Sequence, residues 1–279
     1  MVPSVRKAFN DAFTEERYQA FLKDLHSAHP GAIEFRVAET PVFVPKAFRD
    51  QMVDCCEYIL DQVLSPGYMA LTARAIPASD HVPGENRHCH VFAFDFGVCE
   101  DGKGGLEPQL IEMQGFPTLF AFQAFYPDVL ERHFTIPKGY SHYFGGIDMA
   151  GFISEMKHFL LGAHEPEHVI LLEIKPHEQK TRIDFHCTEE YWDIKPVCIT
   201  ELIQEGKKLY YMRDGVKTHI ERIYNRVIFD DLHAQRDRLG KIPDITQPLD
   251  VEWLPHPNWF YRVSKFTLPL LHHPYIPET

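Results

Sequence analysis

No run in the 279 residues approaches the roughly 18 apolar residues of a membrane span. The opening residues Met1-Val2-Pro3-Ser4-Val5-Arg6-Lys7 also lack an apolar signal core. Basic side chains are in short supply: 28 Lys and Arg stand against 40 Asp and Glu, a formal net charge of −12. That balance argues against nucleic acid or an anionic membrane as the main partner, because phosphate surfaces are bound by basic ones. The cysteines (Cys55, Cys56, Cys89, Cys99, Cys187 and Cys198) are too few and too scattered for a disulfide framework. Free thiols in a reducing compartment, and hence a cytoplasmic protein, are expected. Repeats, low-complexity tracts and the Gly-x-Ser-x-Gly elbow of a serine hydrolase are all missing. The composition is 44% hydrophobic and 13% aromatic, that of a globular chain long enough for a substantial core and two lobes.

Apolar spacing predicts helices over 10–26, with Asn10 as a possible cap, and over 45–64, stopped by Ser65-Pro66-Gly67. A strand over 90–98, a turn at 101–105 and a strand over 109–114 read as a hairpin. The glycines of that turn lie between two strands, so they do not read as a phosphate-cradling loop before a helix. A helix over 117–133 is expected to end or kink at Pro127. Gly145-Gly146 marks a boundary. Beyond it, a helix over 148–161, a strand over 168–174, a helix over 178–187 and a strand near 197–200 suggest a βαβ unit with a small parallel sheet. A hairpin built on 208–211 and the turn 213–215, a strand over 220–227 and a helix over 229–239 follow. The predicted class is α/β: residues 1–145 as antiparallel sheet plus helices, and 146–258 as a Rossmann-like domain.

The polar residues that stand out against this apolar background are Asp95, Glu112 and Gln114. Residues two apart on a strand share a face, so Glu112 and Gln114 point together, and hairpin pairing can bring Asp95 across from them. Converging carboxylates repel unless a cation lies between them, and hard oxygen donors of this kind suit Mg²⁺. The plainer alternative has Asp95 capping a turn and Glu112 on a solvated face. His88-Cys89-His90 would need distant partners to bind zinc, since Cys89 faces away from the two histidines on a strand. Arg226 offers its fork to a phosphate or carboxylate, or else pairs with Asp230 or Asp231. Lys265 is either a nucleotide contact or a structural lysine.

The stretch Phe94-Asp95-Phe96-Gly97, Asp101-Gly102 and Leu110-Ile111-Glu112-Met113-Gln114-Gly115-Phe116-Pro117-Thr118 resembles the metal-binding strands of the glutathionylspermidine-synthase-like, circularly permuted ATP-grasp ligases. The resemblance implies that Asp95, Glu112 and Gln114 hold Mg²⁺ against the phosphates of ATP, with Thr118 near the acceptor site. Gln114 stands where the family usually has Asn, and Ala93 where it has Arg. Residues 169–174 with Gln179-Lys180-Thr181 resemble the Rossmann-like domain that accompanies such cores, and 220–227, with Arg226, resemble its later strand. Asn258 and Ser264-Lys265-Phe266-Thr267-Leu268-Pro269 resemble the approach to the nucleotide lobe. On this likeness, residues 259–279 are expected to lead into a nucleotide lobe, with its Lys-Pro strand and glycine-rich loop, that the sequence does not include.

The activity so implied is ATP-dependent ligation of a small-molecule carboxylate to an amine, through an acyl phosphate that the amine then resolves. The contrasting expectation is a non-catalytic binding or scaffold protein that keeps an ATP-grasp-like shell. A third is a metal-dependent hydrolase using Asp95, Glu112 and a histidine.

Overall fold

The computed structural model describes residues 2–116 and 118–278; Pro117, part of the motif above, and Thr279, at the end of the predicted lead-in, lie outside the described residues. Two helices, α1 (Pro3–Ala12) and α2 (Glu15–Ala28), occupy the region where a single one is predicted over 10–26. Thr14 makes the break. Its backbone is extended and its hydroxyl accepts from the Arg17 amide at 3.3 Å, which starts a new helix. Asn10 caps nothing and lies inside α1. Helix α3 (Lys46–Val63) matches its prediction and buries Phe48, Cys55, Ile59 and Val63; the short α4 (Tyr68–Thr72) follows it.

Strands β1 (Ala93–Glu100) and β2 (Leu106–Gln114) form the predicted antiparallel hairpin. At its tip the Asp101 carboxylate accepts from the amides of Lys103 and Gly105 at 2.7 and 2.8 Å. Helix α5 (Phe120–His133) runs on through Pro127, so of the two expected effects, an end or a kink, the end does not occur. Proline removes the amide that would bond the Gln123 carbonyl. Burial of Ala124, Phe125, Val129 and Leu130 on either side keeps the helix going.

After α6 (Met149–Leu161) come β3 (Val169–Glu173), α7 (Arg182–Trp192) and β4 (Lys195–Cys198), the predicted βαβ unit with its helix set later than expected. The delay comes from a 3₁₀ turn at Pro176–Glu178. A meander of β5 (Ile203–Glu205), β6 (Lys208–Arg213) and β7 (Val216–Ile220) fills the next connection. The strand predicted over 220–227 is therefore two. The chain leaves the meander at Ile220 and enters the parallel sheet as β8 (Arg222–Asn225), the Glu221 amide bonding the His168 carbonyl at 2.9 Å between them. Helix α8 (Phe229–Leu239) agrees with its prediction; β9 (Glu252–Leu254) and α9 (Asn258–Arg262) complete the fold, followed by a 3₁₀ segment at Lys265–Leu270.

The four-stranded sheet runs in the order β4-β3-β8-β9, with every neighbouring pair parallel. Chain order reverses between β3 and β8. In open parallel sheets, that switch point leaves a crevice at the carboxyl ends of the strands. One sheet face (Val169, Leu171, Tyr224, Leu254) packs with α1, α2, α5, α6 and α7; the other (Ile170, Leu172, Ile223, Trp253) packs with the meander and α8. A third apolar cluster joins α3, the hairpin's Phe94, Phe96, Leu110 and Met113, and α9. No helix among the described residues is long and apolar enough to cross a membrane, and all the cysteines are free.

A polar strap binds α9 to the segment 80–86. The Arg262 guanidinium grips Glu85, with Nη2 at 2.9 Å from Oε2, and its Nη1 donates to the Met69 carbonyl at 2.6 Å and Thr72 Oγ1 at 2.9 Å. Asn258 exchanges two bonds with the Val82 backbone, both at 3.0 Å. Asp80 accepts from Tyr261 at 2.6 Å and meets His233 at 2.8 Å. The Arg262 and Glu85 side chains are only 6% and 10% exposed, so removing one strands the other's charge. Arg262→Met is therefore expected to destabilise the fold by roughly 3–5 kcal/mol in urea unfolding, and Arg262→Met with Glu85→Leu by clearly less than the two single changes summed.

Candidate functional site

Pairing in the hairpin sets Asp95 opposite Glu112 and Ala93 opposite Gln114. Residues directly opposite in an antiparallel pair project on the same face. Phe94 and Met113 pair on the inner face, so Asp95, Glu112 and Gln114 all point outward together. A bulge helps. The register jumps from Asp95↔Glu112 to Phe96↔Leu110, leaving Ile111 as the extra, exposed residue. Leu110 thereby stays inward while Glu112 stays outward.

Gly115 then brings the end of β2 against α9. Its amide bonds the Val263 carbonyl at 3.1 Å, and a Cβ there would lie 2.7 Å from the Trp259 carbonyl oxygen. Only glycine permits this approach. It carries the start of the 3₁₀ segment to the hairpin, so that Lys265 Nζ sits 2.8 Å from Glu112 Oε2. The other oxygen, Oε1, accepts from Gln114 Nε2 at 3.0 Å. The Lys265 bond is the main reason that Glu112 titrates below the usual carboxylate range.

A cavity of about 410 Å³ opens beside this pair, lined by Glu112, Gln114, Thr118, Arg226 and Lys265 together with Phe116, Phe260 and their neighbours. Five of the six residues singled out in the sequence thus meet in one place. Asp95 is exposed and stands across the strand pair from Glu112 without lining the cavity.

Arg226 arrives from the switch point. Its amide donates to the Leu172 carbonyl at 2.8 Å, extending the parallel pairing of β3 and β8. Its guanidinium carbon lies 5.9 Å from the Phe116 ring centre, and its Nε is buried without a hydrogen-bond partner. The alternative pairing with Asp230 or Asp231 does not form: Arg226 has no ion pair among the described residues.

Sequence reasoning missed the layer behind it. Strand alternation puts Glu173 on the sheet face of Leu171 and Tyr224, beneath α5. Asp184 of α7 caps α5: its Oδ1 accepts from the Phe122 amide at 2.9 Å. Leu119, just before α5, takes φ of 70°, a left-handed conformation costing a non-glycine residue on the order of 1 kcal/mol. Thr118 Oγ1, Asp184 Oδ2 and Tyr224 OH are all buried without hydrogen-bond partners. Thr118 and Tyr224 interact, though not in hydrogen-bonding geometry. Burial pushes Asp184 up to about 6 and Glu173 up to about 7, with the Arg226 charge opposing both rises. The available signal was polar residues closing apolar strands, Glu173 after 169–172 and Tyr224-Asn225-Arg226 at the end of β8 and just beyond it, at the carboxyl ends where parallel sheets place their sites.

In His88-Cys89-His90, the Cys89 thiol donates to the Val91 carbonyl at 3.0 Å, and burial pushes it up to about 12. Among the described residues, no group of three or more His, Cys, Asp or Glu side chains is arranged to hold a metal.

No family model and no curated protein matches this chain. Among solved structures, its fold is similar to that of a glutathione synthetase-like effector from Globodera pallida in its apo form, with a TM-score of 0.54 at 15% identity. The match covers 93% of this chain and 65% of that one, so the chain spans just under two thirds of its neighbour's length. At that identity the likeness shows the fold alone, an α/β arrangement similar to that of the glutathione synthetase-like effector.

Glu173 makes stability depend on pH. The unfolded side chain ionises near 4.5 and the folded one near 7. Between these values the native state holds more protons than the unfolded chain, so its stability falls as pH rises through the window, by roughly 3 kcal/mol in all. Glu173→Gln should make the fall between pH 5 and pH 7 smaller by roughly 2 kcal/mol, the remainder coming from Asp184, as urea unfolding at the two pH values will measure.

Proposed function

We propose that this chain carries the cation- and phosphate-binding part of an ATP-dependent carboxylate–amine ligase, of the circularly permuted, glutathionylspermidine-synthase-like ATP-grasp type, working in the cytoplasm. The observation that supports it best is the convergence of Glu112, Gln114, Thr118, Arg226 and Lys265 on one cavity beside the switch point of the parallel sheet. Elements far apart in the chain bring those groups together.

The donor set fits Mg²⁺. Two facing carboxylates and an amide oxygen are hard ligands on one sheet face, and Mg²⁺ takes its remaining ligands from water and phosphate. Asp95 and Glu112 would hold the ion, with Gln114 turning its amide oxygen toward it. When bound, the ion supplies neutralisation of the phosphate charge. The chain's own part is positioning. Lys265 at the cavity mouth presents an ammonium to phosphate oxygens. Arg226, with no ion pair among the described residues, offers a planar fork to a carboxylate or phosphate. The Thr118 hydroxyl, beside Tyr224, would add a hydrogen bond for the acceptor. The Phe116 and Phe260 rings keep water from one side of the cavity.

A scaffold without turnover is the second reading. Ala93 favours it, sitting opposite Gln114 where an arginine would add positive charge to the phosphate site.

Thermal unfolding with Mg²⁺ plus ATP, with Mg²⁺ plus AMP and with neither ligand separates the two. A ligand at about 100 times its Kd stabilises by roughly 2.7 kcal/mol, several degrees for a chain of this size. ATP with Mg²⁺ should give that shift; Asp95→Ala and Glu112→Ala should each abolish it while leaving the unliganded Tm in place. Absence of any shift with ATP would favour the scaffold, and a full shift in both variants would remove the two carboxylates from the site.

A further inference from the structure

Both oxygens of Glu112 are already engaged from within the chain: Oε2 by the Lys265 ammonium at 2.8 Å and Oε1 by the Gln114 amide nitrogen at 3.0 Å. Those are the oxygens a divalent cation between Asp95 and Glu112 would bind, and the lysine occupies the approach to one of them. A cation there would also meet the lysine's positive charge within a few ångströms, where repulsion is strong. Lys265 is poised to move. Its side chain is 63% exposed, Glu112 is its only ion-pair partner among the described residues, and it opens the 3₁₀ segment at the mouth of the cavity.

We propose that Lys265 is a latch: in the unliganded protein its ammonium fills the place of the divalent cation, and the phosphates of an incoming polyphosphate lift it. The inference rests on the reading of the cavity given above. Polyphosphate and the Glu112 carboxylate compete for one ammonium. The anion that draws Lys265 away frees Oε2, and Gln114 then has only to rotate its amide to present oxygen in place of nitrogen. The site consequently discriminates against a bare divalent cation and accepts cation and polyphosphate together. Lys265 serves both ligands in opposite senses, opposing the cation and attracting the anion.

The test measures two bindings separately in the wild-type chain and in Lys265→Met, which keeps the length of the stem and loses the charge. Free Mn²⁺ is followed by electron paramagnetic resonance, and inorganic triphosphate in metal-free buffer by calorimetry. Lys265→Met should bind Mn²⁺ alone measurably tighter, by up to about fivefold, the upper range for a largely exposed ion pair, and triphosphate more weakly. Lys103→Met, which removes the same charge at the hairpin tip, should leave Mn²⁺ affinity as in the wild type, and Lys265→Arg should keep it weak. Equal Mn²⁺ affinity in the wild type and Lys265→Met overturns the latch, as does an equal gain in Lys103→Met, because net charge would then account for it. Glu112→Gln separates the two layers of the argument. If it abolishes Mn²⁺ binding, the carboxylate site stands whatever becomes of the latch; if Mn²⁺ binds it as tightly as it binds Lys265→Met, the cation site and the latch fall together.

Discussion

The arrangement hangs on a buried guanidinium that does not itself line the cavity. Arg262 sits in the interior because Glu85 neutralises it and because Met69 and Thr72 take its remaining donors. A charge placed there without these partners would cost several kcal/mol. The return is position: α9 is pinned against α4 and the segment 80–86, and everything downstream inherits that location. Trp259 and Val263 then offer the surface against which Gly115 closes, and Lys265 emerges beside the hairpin. Asn258 repeats the design with neutral groups, spending both ends of its amide on Val82. Such strapping ties a two-stranded hairpin, which would be marginal alone, to the parallel sheet.

Electrostatics around the cavity divide into two depths. Near solvent, the Lys265 ammonium favours the ionised form of Glu112. Deeper, Glu173 and Asp184 resist ionisation through burial, and the positive charge of Arg226 lies close enough to oppose that resistance in both. The deep layer also concentrates strain: a left-handed Leu119 beside unpartnered Thr118, Tyr224 and Asp184 atoms. Strained backbone and unsatisfied polar groups are costly, and they gather where a structure is shaped for something other than stability.

Much of this was readable from the amino-acid order, for identifiable reasons. Phe94, Phe96 and Met113 alternate with Asp95 and Glu112, so period-two patterning disclosed both the hairpin and the shared face of its acids. The apolar run at 169–172 gave the central strand, and the helical stripes gave α3 and α8. Local chemistry overrode periodicity elsewhere. A single hydroxyl at Thr14 divides what apolar spacing joins, and tertiary burial carries α5 across Pro127. Strand β9 offers only Glu252, Trp253 and Leu254, too short to show a period, and forms because β8 presents an open edge to it. Asp184 was hidden for a different reason: within α7 it reads as an ordinary polar residue, and its partner, the amide end of α5, is remote in the chain.

The bulge at Ile111 governs which changes of chain length this hairpin can absorb. Were the strands to pair without it at the present length, Ile111 would face Asp95 and Glu112 would fall opposite Phe94, turned into the apolar cluster. Deleting Ile111 itself would flatten the strand yet leave acid facing acid. Residues added at the tip, around Gly102 to Gly104, lie at the far end from Asp95 and Glu112 and shift neither. Insertions and deletions in this segment are therefore confined to two places, the loop and the single extra residue, while the short span from Glu112 to Gln114 admits none.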